Sequence, residues 1–176
     1  LEIDLKPGWK TYWRDPGDAG VPPSIDVSYS SNVTSAALGF PPPERVDDGS
    51  TKWAGYKHSV TFPVTFTSQP ISAAATIVTA DVFLGVCEAI CVPVQARLEL
   101  DPFSDPDNAD DAVAVKAAFD ALPAAATPEF GVTLLPETNV PDTTDNVVLE
   151  AKFPGEDADL FIAAPAGYVL GTPERR

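Results

Sequence analysis

The chain has no methionine, a single histidine (His58) and only two cysteines among its 176 residues. Each shortage removes a class of chemistry. One imidazole excludes a histidine-rich metal centre, and without a thioether a soft Cu(I) or Zn(II) site would have only the two thiols and His58 to draw on. Ser/His/Asp hydrolysis would need His58 as its base, and no serine stands in the G-x-S-x-G setting of a nucleophile elbow. Phosphate-cradling and dinucleotide-binding glycine motifs are missing too. Basic residues are scarce. Eleven Lys and Arg against 26 Asp and Glu give a net charge of -15, which opposes binding to nucleic acid or docking on an anionic membrane. No apolar run approaches the ~20 residues of a membrane span. No signal peptide is visible and the chain starts at Leu1, as a processed exported protein or a cloned fragment would.

What is plentiful points to β structure. Nineteen prolines and 11 glycines cut the chain into short runs, and 44% hydrophobic residues supply a core, which suits a β-sandwich better than a helical fold. The length fits one large domain, or one domain and part of another.

Both cysteines lie in one stretch, Gly85-Val86-Cys87-Glu88-Ala89-Ile90-Cys91-Val92-Pro93, with three residues between them. Ala80–Leu84 before it and Val94–Leu100 after it are β-type, the second alternating apolar with polar. A strand, a tight turn and a returning strand would put a thiol at each edge of the turn. Facing Cα atoms of an antiparallel pair lie about 4.5–5.5 Å apart, within the roughly 4.4–6.8 Å that a disulfide tolerates. The spacing therefore permits a bridge. A ring of about five residues restricts the unfolded chain by only ~2 kcal/mol, so stapling is a poor use of the pair. Spacing alone leaves redox and structural roles open, with metal binding behind them. Pro93 holds Val92 extended and so fixes Cys91 at a strand edge, while Cys87 follows the apolar run from Val82 and is expected inward. Glu88, between the thiols, is expected to face solvent.

In chain order, Leu1–Leu5, Trp9–Trp13, Ser24–Tyr29 and Ser59–Phe66 read as strands, the last a single strand with an edge or bulge at Pro63. Arg45–Ser50 reads as a polar loop, and Trp53-Ala54-Gly55-Tyr56-Lys57-His58 as an exposed loop whose aromatics could cover a reactive group. Asn108–Leu122 is the one good helix, with Asp107, Asp110 and Asp111 at its start, Val115, Phe119 and Leu122 on one face, and Pro123 as its stop. Phe130–Leu135, Asn146–Phe153 and Asp159–Ile162 read as three further strands.

Several of these segments resemble a known family. Gly8-Trp9-Lys10-Thr11-Tyr12-Trp13-Arg14-Asp15-Pro16-Gly17-Asp18-Ala19-Gly20, Trp53-Ala54-Gly55-Tyr56, Phe62-Pro63-Val64 and Gly85-Val86-Cys87 through Cys91-Val92-Pro93 are similar to the N-terminal periplasmic domain of DsbD-type thiol:disulfide interchange proteins. Within that family they look most like the branch called suppressor of copper sensitivity protein B (ScsB). The likeness spans roughly residues 8–100, and Asp159-Leu160-Phe161 with Gly167-Tyr168-Val169 loosely resembles the start of the branch's second β domain. In the best-known members the cysteines stand further apart than here.

The resemblance implies a mainly β, immunoglobulin-like sandwich with one helix: residues 1–102 a redox domain, 103–128 a linker and helix, and 129–176 the start of a second β domain or strands packed on the first. It implies a periplasmic domain of an inner-membrane protein, linked by the branch's name to copper tolerance. That domain takes electrons from a thioredoxin-like donor fed by the membrane part and passes them to periplasmic thioredoxin-fold proteins. Cys91 would attack and Cys87 resolve, Trp53, Gly55 and Tyr56 would lie in a cap loop over the pair, and no cofactor, metal or nucleic acid would be needed. The alternative is a non-catalytic immunoglobulin-like module that binds copper or a protein and carries a structural disulfide.

Overall fold

The computed structural model describes residues 1–17, 20–47, 49, 51–69, 76–125, 127–134, 149–153 and 158–164. In chain order these form β1 (Glu2–Ile3), β2 (Lys10–Tyr12), β3 (Ser24–Asp26), β4 (Val33–Leu38), β5 (Glu44–Asp47), β6 (Lys52–Tyr56), β7 (Val60–Thr61), β8 (Val64–Ser68), β9 (Val78–Cys87), β10 (Cys91–Leu100), α1 (Ala109–Asp120), β11 (Gly131–Leu134) and β12 (Leu149–Lys152). The described residues are mainly β with one helix, as the proline- and glycine-broken sequence implies.

The largest sheet runs β10-β9-β2-β6-β5, and β3 also pairs with β9. Its long member β9 alternates: Val78, Ala80, Val82 and Leu84 are buried, with partly exposed residues between them. Burying each large aliphatic side chain contributes roughly 1.5–3 kcal/mol. A slip of one residue would turn all of them to solvent, so this face fixes the register of the sheet. Thr11, wholly buried on β2, donates its hydroxyl to the Gly85 carbonyl at 3.0 Å and holds β2 against β9.

β10 is the sheet's edge and is exposed along its length. It pairs with β9 from Cys91↔Cys87 to Leu100↔Val78. The cysteine Cα atoms are 4.1 Å apart, the close spacing of a non-hydrogen-bonded pair. By alternation Pro93↔Gly85 is of the same type, so the N–H that Pro93 lacks would have pointed off the free edge, and no ladder bond is lost. Pro93, Arg97 and Glu99 together discourage unwanted strand addition along that edge. Arg97 makes a two-pronged ion pair with Asp81 on β9 at 2.6 and 2.7 Å, which holds the Asp81 carboxyl below the usual carboxylate range.

Three sequence expectations are corrected. Arg45–Ser50 is not all loop: β5 pairs with β6 through Arg45↔Ala54 and Val46↔Trp53. Ser59–Phe66 is two strands, β7 pairing with β1 and β8 with β4. The break falls at Phe62-Pro63, because Phe62 N donates to the Leu1 carbonyl and Pro63 has no N–H to continue a ladder. Residues 158–164 contain no strand, so Asp159–Ile162 is not one. Beyond these, β4 has no clear alternation in its sequence, and its pairing with β8 makes it a strand. Residues 135, 146–148 and 167–169 of the other expected segments lie outside the described residues.

The helix lies within the expected span and is capped by Asn108. The Asn108 side chain accepts from the backbone N–H groups of Asp110 and Asp111, both at 3.0 Å. Its expected face is only partly used. Val115 and Phe119 are exposed, Ala118 is the buried helical residue, and Leu122 reaches the backbone of Gly39. The chain divides into two compact units, Leu1–Pro123 with Ile162–Leu170, and Ala124–Phe161 with Gly171–Arg176, so α1 belongs to the first. In the second, β11 pairs with β12, and the Phe130 and Phe153 rings meet edge-on at 6.3 Å.

Gly55 marks the tightest contact in the main sheet: an added Cβ would sit 2.3 Å from the Thr11 carbonyl oxygen and 3.0 Å from Tyr12 Cα. Backbone cannot give way as a flexible side chain does, so Gly55→Ala is expected to cost about 3 kcal/mol or more in a denaturant titration. Gly131→Ala, where an added Cβ meets nothing within 4 Å, is expected to stay within about 0.5 kcal/mol of the parent.

Candidate functional site

β9 ends and β10 begins at the cysteines, which form the Cys87–Cys91 disulfide across the mouth of the turn. The turn residues Glu88, Ala89 and Ile90 are exposed, Glu88 facing solvent as expected. The two sulfurs live in different surroundings. Cys87 is 1% exposed, whereas Cys91 belongs to the exposed edge strand. This is the inward and outward placement that Val82–Val86 and Pro93 predict.

Alternation along β2 supplies the neighbours. Lys10 lies opposite Cys87, and Tyr12 projects from the same face. The Tyr12 hydroxyl is 3.1 Å from Cys87 Sγ and 3.5 Å from Cys91 Sγ. Gly85, two residues before Cys87, leaves the room: an added Cβ there would lie 3.3 Å from the Tyr12 ring and 3.2 Å from Val21 Cβ. β6 contributes Trp53, whose ring meets Tyr12 edge-on at 5.9 Å, so that Tyr12, Trp53 and Cys87 form one buried cluster with Val46 against it. Lys10 Nζ sits 4.4 Å from the centroid of the Trp53 ring, a cation–π contact on the disulfide face. Burial pushes the Tyr12 phenol above its ordinary value. Trp53 Nε1 is buried without a hydrogen-bond partner among the described residues, at a cost of roughly 1–3 kcal/mol.

The expected cap segment is built differently from the reading of its sequence. Trp53-Ala54-Gly55-Tyr56 is a buried strand, not an exposed loop, because β2 and β5 pair with it on both edges. Gly55 is there for close approach to β2, not for a turn. Alternation then separates the aromatics. Trp53 joins the disulfide cluster, but Tyr56 lies on the other face, donating to the Pro41 carbonyl at 2.8 Å and packing edge-on against Phe62 at 5.4 Å. Tyr12 and Lys10 take the place beside the disulfide that Tyr56 was expected to fill. Their signal was legible, since in a strand over Trp9–Trp13 residues 10 and 12 share a face. Among the described residues no three His, Cys, Asp or Glu side chains gather as a metal site would require.

Two substitutions separate the aromatics. In the reduced protein, Trp53→Ala is expected to raise the alkylation rate of Cys87 several-fold, and Tyr56→Phe to leave it unchanged. Tyr56→Phe should lower stability by about 1 kcal/mol through loss of its hydrogen bond. Burial also pushes the Tyr56 phenol far above its usual value, partly offset by Arg14. The folded chain keeps a proton there that the unfolded chain releases near pH 10, so stability falls as pH rises above about 10, by up to about 1.4 kcal/mol per pH unit. Tyr56→Phe is expected to remove that part of the alkaline slope, as denaturant titrations across this range will read.

Comparison with known proteins agrees with this geometry. The family model described as "Thiol:disulfide interchange protein DsbD, N-terminal" matches residues 1–102. No curated protein matches the chain. Among solved structures, the crystal structure of the N-terminal periplasmic domain of ScsB from Proteus mirabilis is similar, with a TM-score of 0.62 and 28% sequence identity over 76% of this chain. The chain spans about half of that structure, 51% of its length. The fold is therefore the immunoglobulin-like one of these domains. Because the family match takes in more than half of the sequence, both cysteines and every strand that builds their surroundings, the chain belongs to the DsbD N-terminal domain family.

Proposed function

We propose that this domain is a periplasmic thiol:disulfide exchange module, one that takes reducing equivalents from a thioredoxin-like donor served by a membrane electron-transfer partner and passes them to oxidised periplasmic proteins of thioredoxin fold. The observation that carries the reading is the asymmetry of the disulfide, one sulfur buried under Tyr12 and Trp53 and the other on an exposed edge. A staple gains nothing from such asymmetry, and a ring this small stabilises by only ~2 kcal/mol. An exchange site needs it, because a partner must reach one sulfur and leave the other to complete the reaction.

The steps balance as follows. A donor thiolate attacks Cys91 Sγ, a donor–Cys91 disulfide forms, and Cys87 leaves as a thiolate. The donor's second thiol resolves that mixed disulfide, leaving Cys87 and Cys91 reduced by two electrons and carrying two protons more. Cys91 as thiolate then attacks the disulfide of an oxidised partner. Cys87 displaces the partner from Cys91, which restores the intramolecular bond and releases the partner as a dithiol. Trp53, with Tyr12, shields Cys87 between encounters, and β6 supplies that cover as a fixed strand. The name of the similar ScsB branch connects it with copper sensitivity; repair of wrongly oxidised thiols is a role that this chemistry could serve under such stress. Residues 129–176 are proposed as the start of a second β domain or as extra strands of the first; the separate unit that begins at Ala124 favours the former as far as Phe161, whereas Ile162–Leu170 group with the first unit.

Equilibration in glutathione buffers tests the reading. An exchange disulfide is expected to have a potential above about -300 mV, and a structural one below it. Alongside, Cys87→Ser is expected to accumulate mixed disulfides with periplasmic proteins and Cys91→Ser to capture few. A potential below that limit, or equal capture by both variants, contradicts the assignment.

A further inference from the structure

In the oxidised site the Tyr12 hydroxyl is a donor without a matching acceptor. Neither sulfur of a disulfide carries a hydrogen, so across the 3.1 and 3.5 Å contacts the phenol must be the group that donates. Neutral divalent sulfur is a weak acceptor, whereas hydrogen bonds to an ionised group are about twice as strong as neutral ones. Tyr12 is 3% exposed; a phenol is protonated at neutral pH, and burial raises its pKa further. A buried, protonated donor held against a sulfur suits that sulfur in its charged form better than the form it now touches.

We propose that Tyr12 is a catalytic residue of the exchange reaction, donating its hydroxyl hydrogen to Cys87 Sγ and stabilising the Cys87 thiolate. The proposal rests on the exchange reading given above. When a donor thiolate bonds to Cys91 Sγ, the Cys87–Cys91 bond breaks and its electron pair stays on Cys87. Cys87 is 1% exposed, so bulk solvent is kept from the new charge. Apolar burial alone would raise its pKa and slow its departure. The Tyr12 hydroxyl, 3.1 Å away, opposes this, and a leaving thiol of lower pKa leaves faster. In the delivery step the same hydrogen bond keeps Cys87 ionised for its attack on Cys91 Sγ in the mixed disulfide with the partner. The proton stays on the phenol throughout. Lys10, opposite Cys87 and held over Trp53, adds a cation on the same face.

Tyr12→Phe removes the donor and keeps the ring that packs on Trp53 and Gly85. Two readouts separate a chemical role from a packing one. First, in the Cys91→Ser chain, where Cys87 is the sole thiol, its pKa is read from the pH dependence of its Cβ chemical shift. Adding Tyr12→Phe is expected to raise that pKa by about one to two units, the worth of a hydrogen bond to a charged group. Second, reduction of the wild-type disulfide by dithiothreitol at neutral pH is expected to slow about tenfold on Tyr12→Phe. An unchanged Cys87 pKa in a folded variant overturns the proposal, even if reduction slows. Should Tyr12→Phe disturb the fold, the Cys91→Ser chain with Tyr12 intact decides alone. The Tyr12 Cζ resonance must move as Cys87 titrates, and a resonance silent through that titration also overturns it. Failure of the exchange reading looks different: the disulfide resists every thioredoxin-like donor, while the Cys87 titration still decides on Tyr12.

Discussion

The site depends on how closely β2 is held between β9 and β6. β2 is only three residues long, yet Lys10 and Thr11 pair with β9 while Thr11 and Tyr12 pair with β6. Two glycines allow the approach: Gly85 makes space for the Tyr12 ring, and Gly55 lets β6 come against the Thr11 carbonyl. The buried Thr11 hydroxyl then ties β2 to the Gly85 carbonyl. Loosening this seam would move Tyr12 off the sulfurs, open the cluster around Cys87 and remove the contrast between the two cysteines. The aromatic cover is thus a product of strand pairing.

Much of the fold was legible where one signal dominated. The alternation in β10, the proline and glycine breaks, the acidic start and Pro123 stop of α1 and the Cys-x-x-x-Cys turn each carry local information that tertiary structure did not override. The inward Cys87 and outward Cys91 followed from the apolar run before one and Pro93 after the other. What was not legible depended on pairing across the chain. Gly55 reads as a loop signal in isolation, because the close approach that requires it comes from Thr11, more than forty residues away. Arg45–Asp47 is polar and becomes a strand only because β6 offers an edge. Tyr12 stands in a stretch that resembles the family, but its place beside the sulfurs depends on the register Lys10↔Cys87, which local sequence does not state.

In the proposed exchange reaction, exposure of a single sulfur would let the pair meet partners without giving its electrons to every passing oxidant. On the proposed reading the buried Cys87 reacts through Cys91, and Cys91 stands on an edge where Pro93 and the charges of Arg97 and Glu99 discourage casual strand pairing. Reactivity is confined to partners that can approach the hairpin end. The -15 net charge is a second, longer-range filter, favouring partners that present neutral or basic surface there.

The central claim is that a thiolate enters this disulfide at Cys91 and expels Cys87. The direct measurement is to attack the oxidised wild-type protein with a labelled monothiol, quench with acid before the ring recloses, and map the label by peptide mass spectrometry. The label is expected almost wholly on Cys91. Label on Cys87, or equal label on both cysteines, would contradict the account.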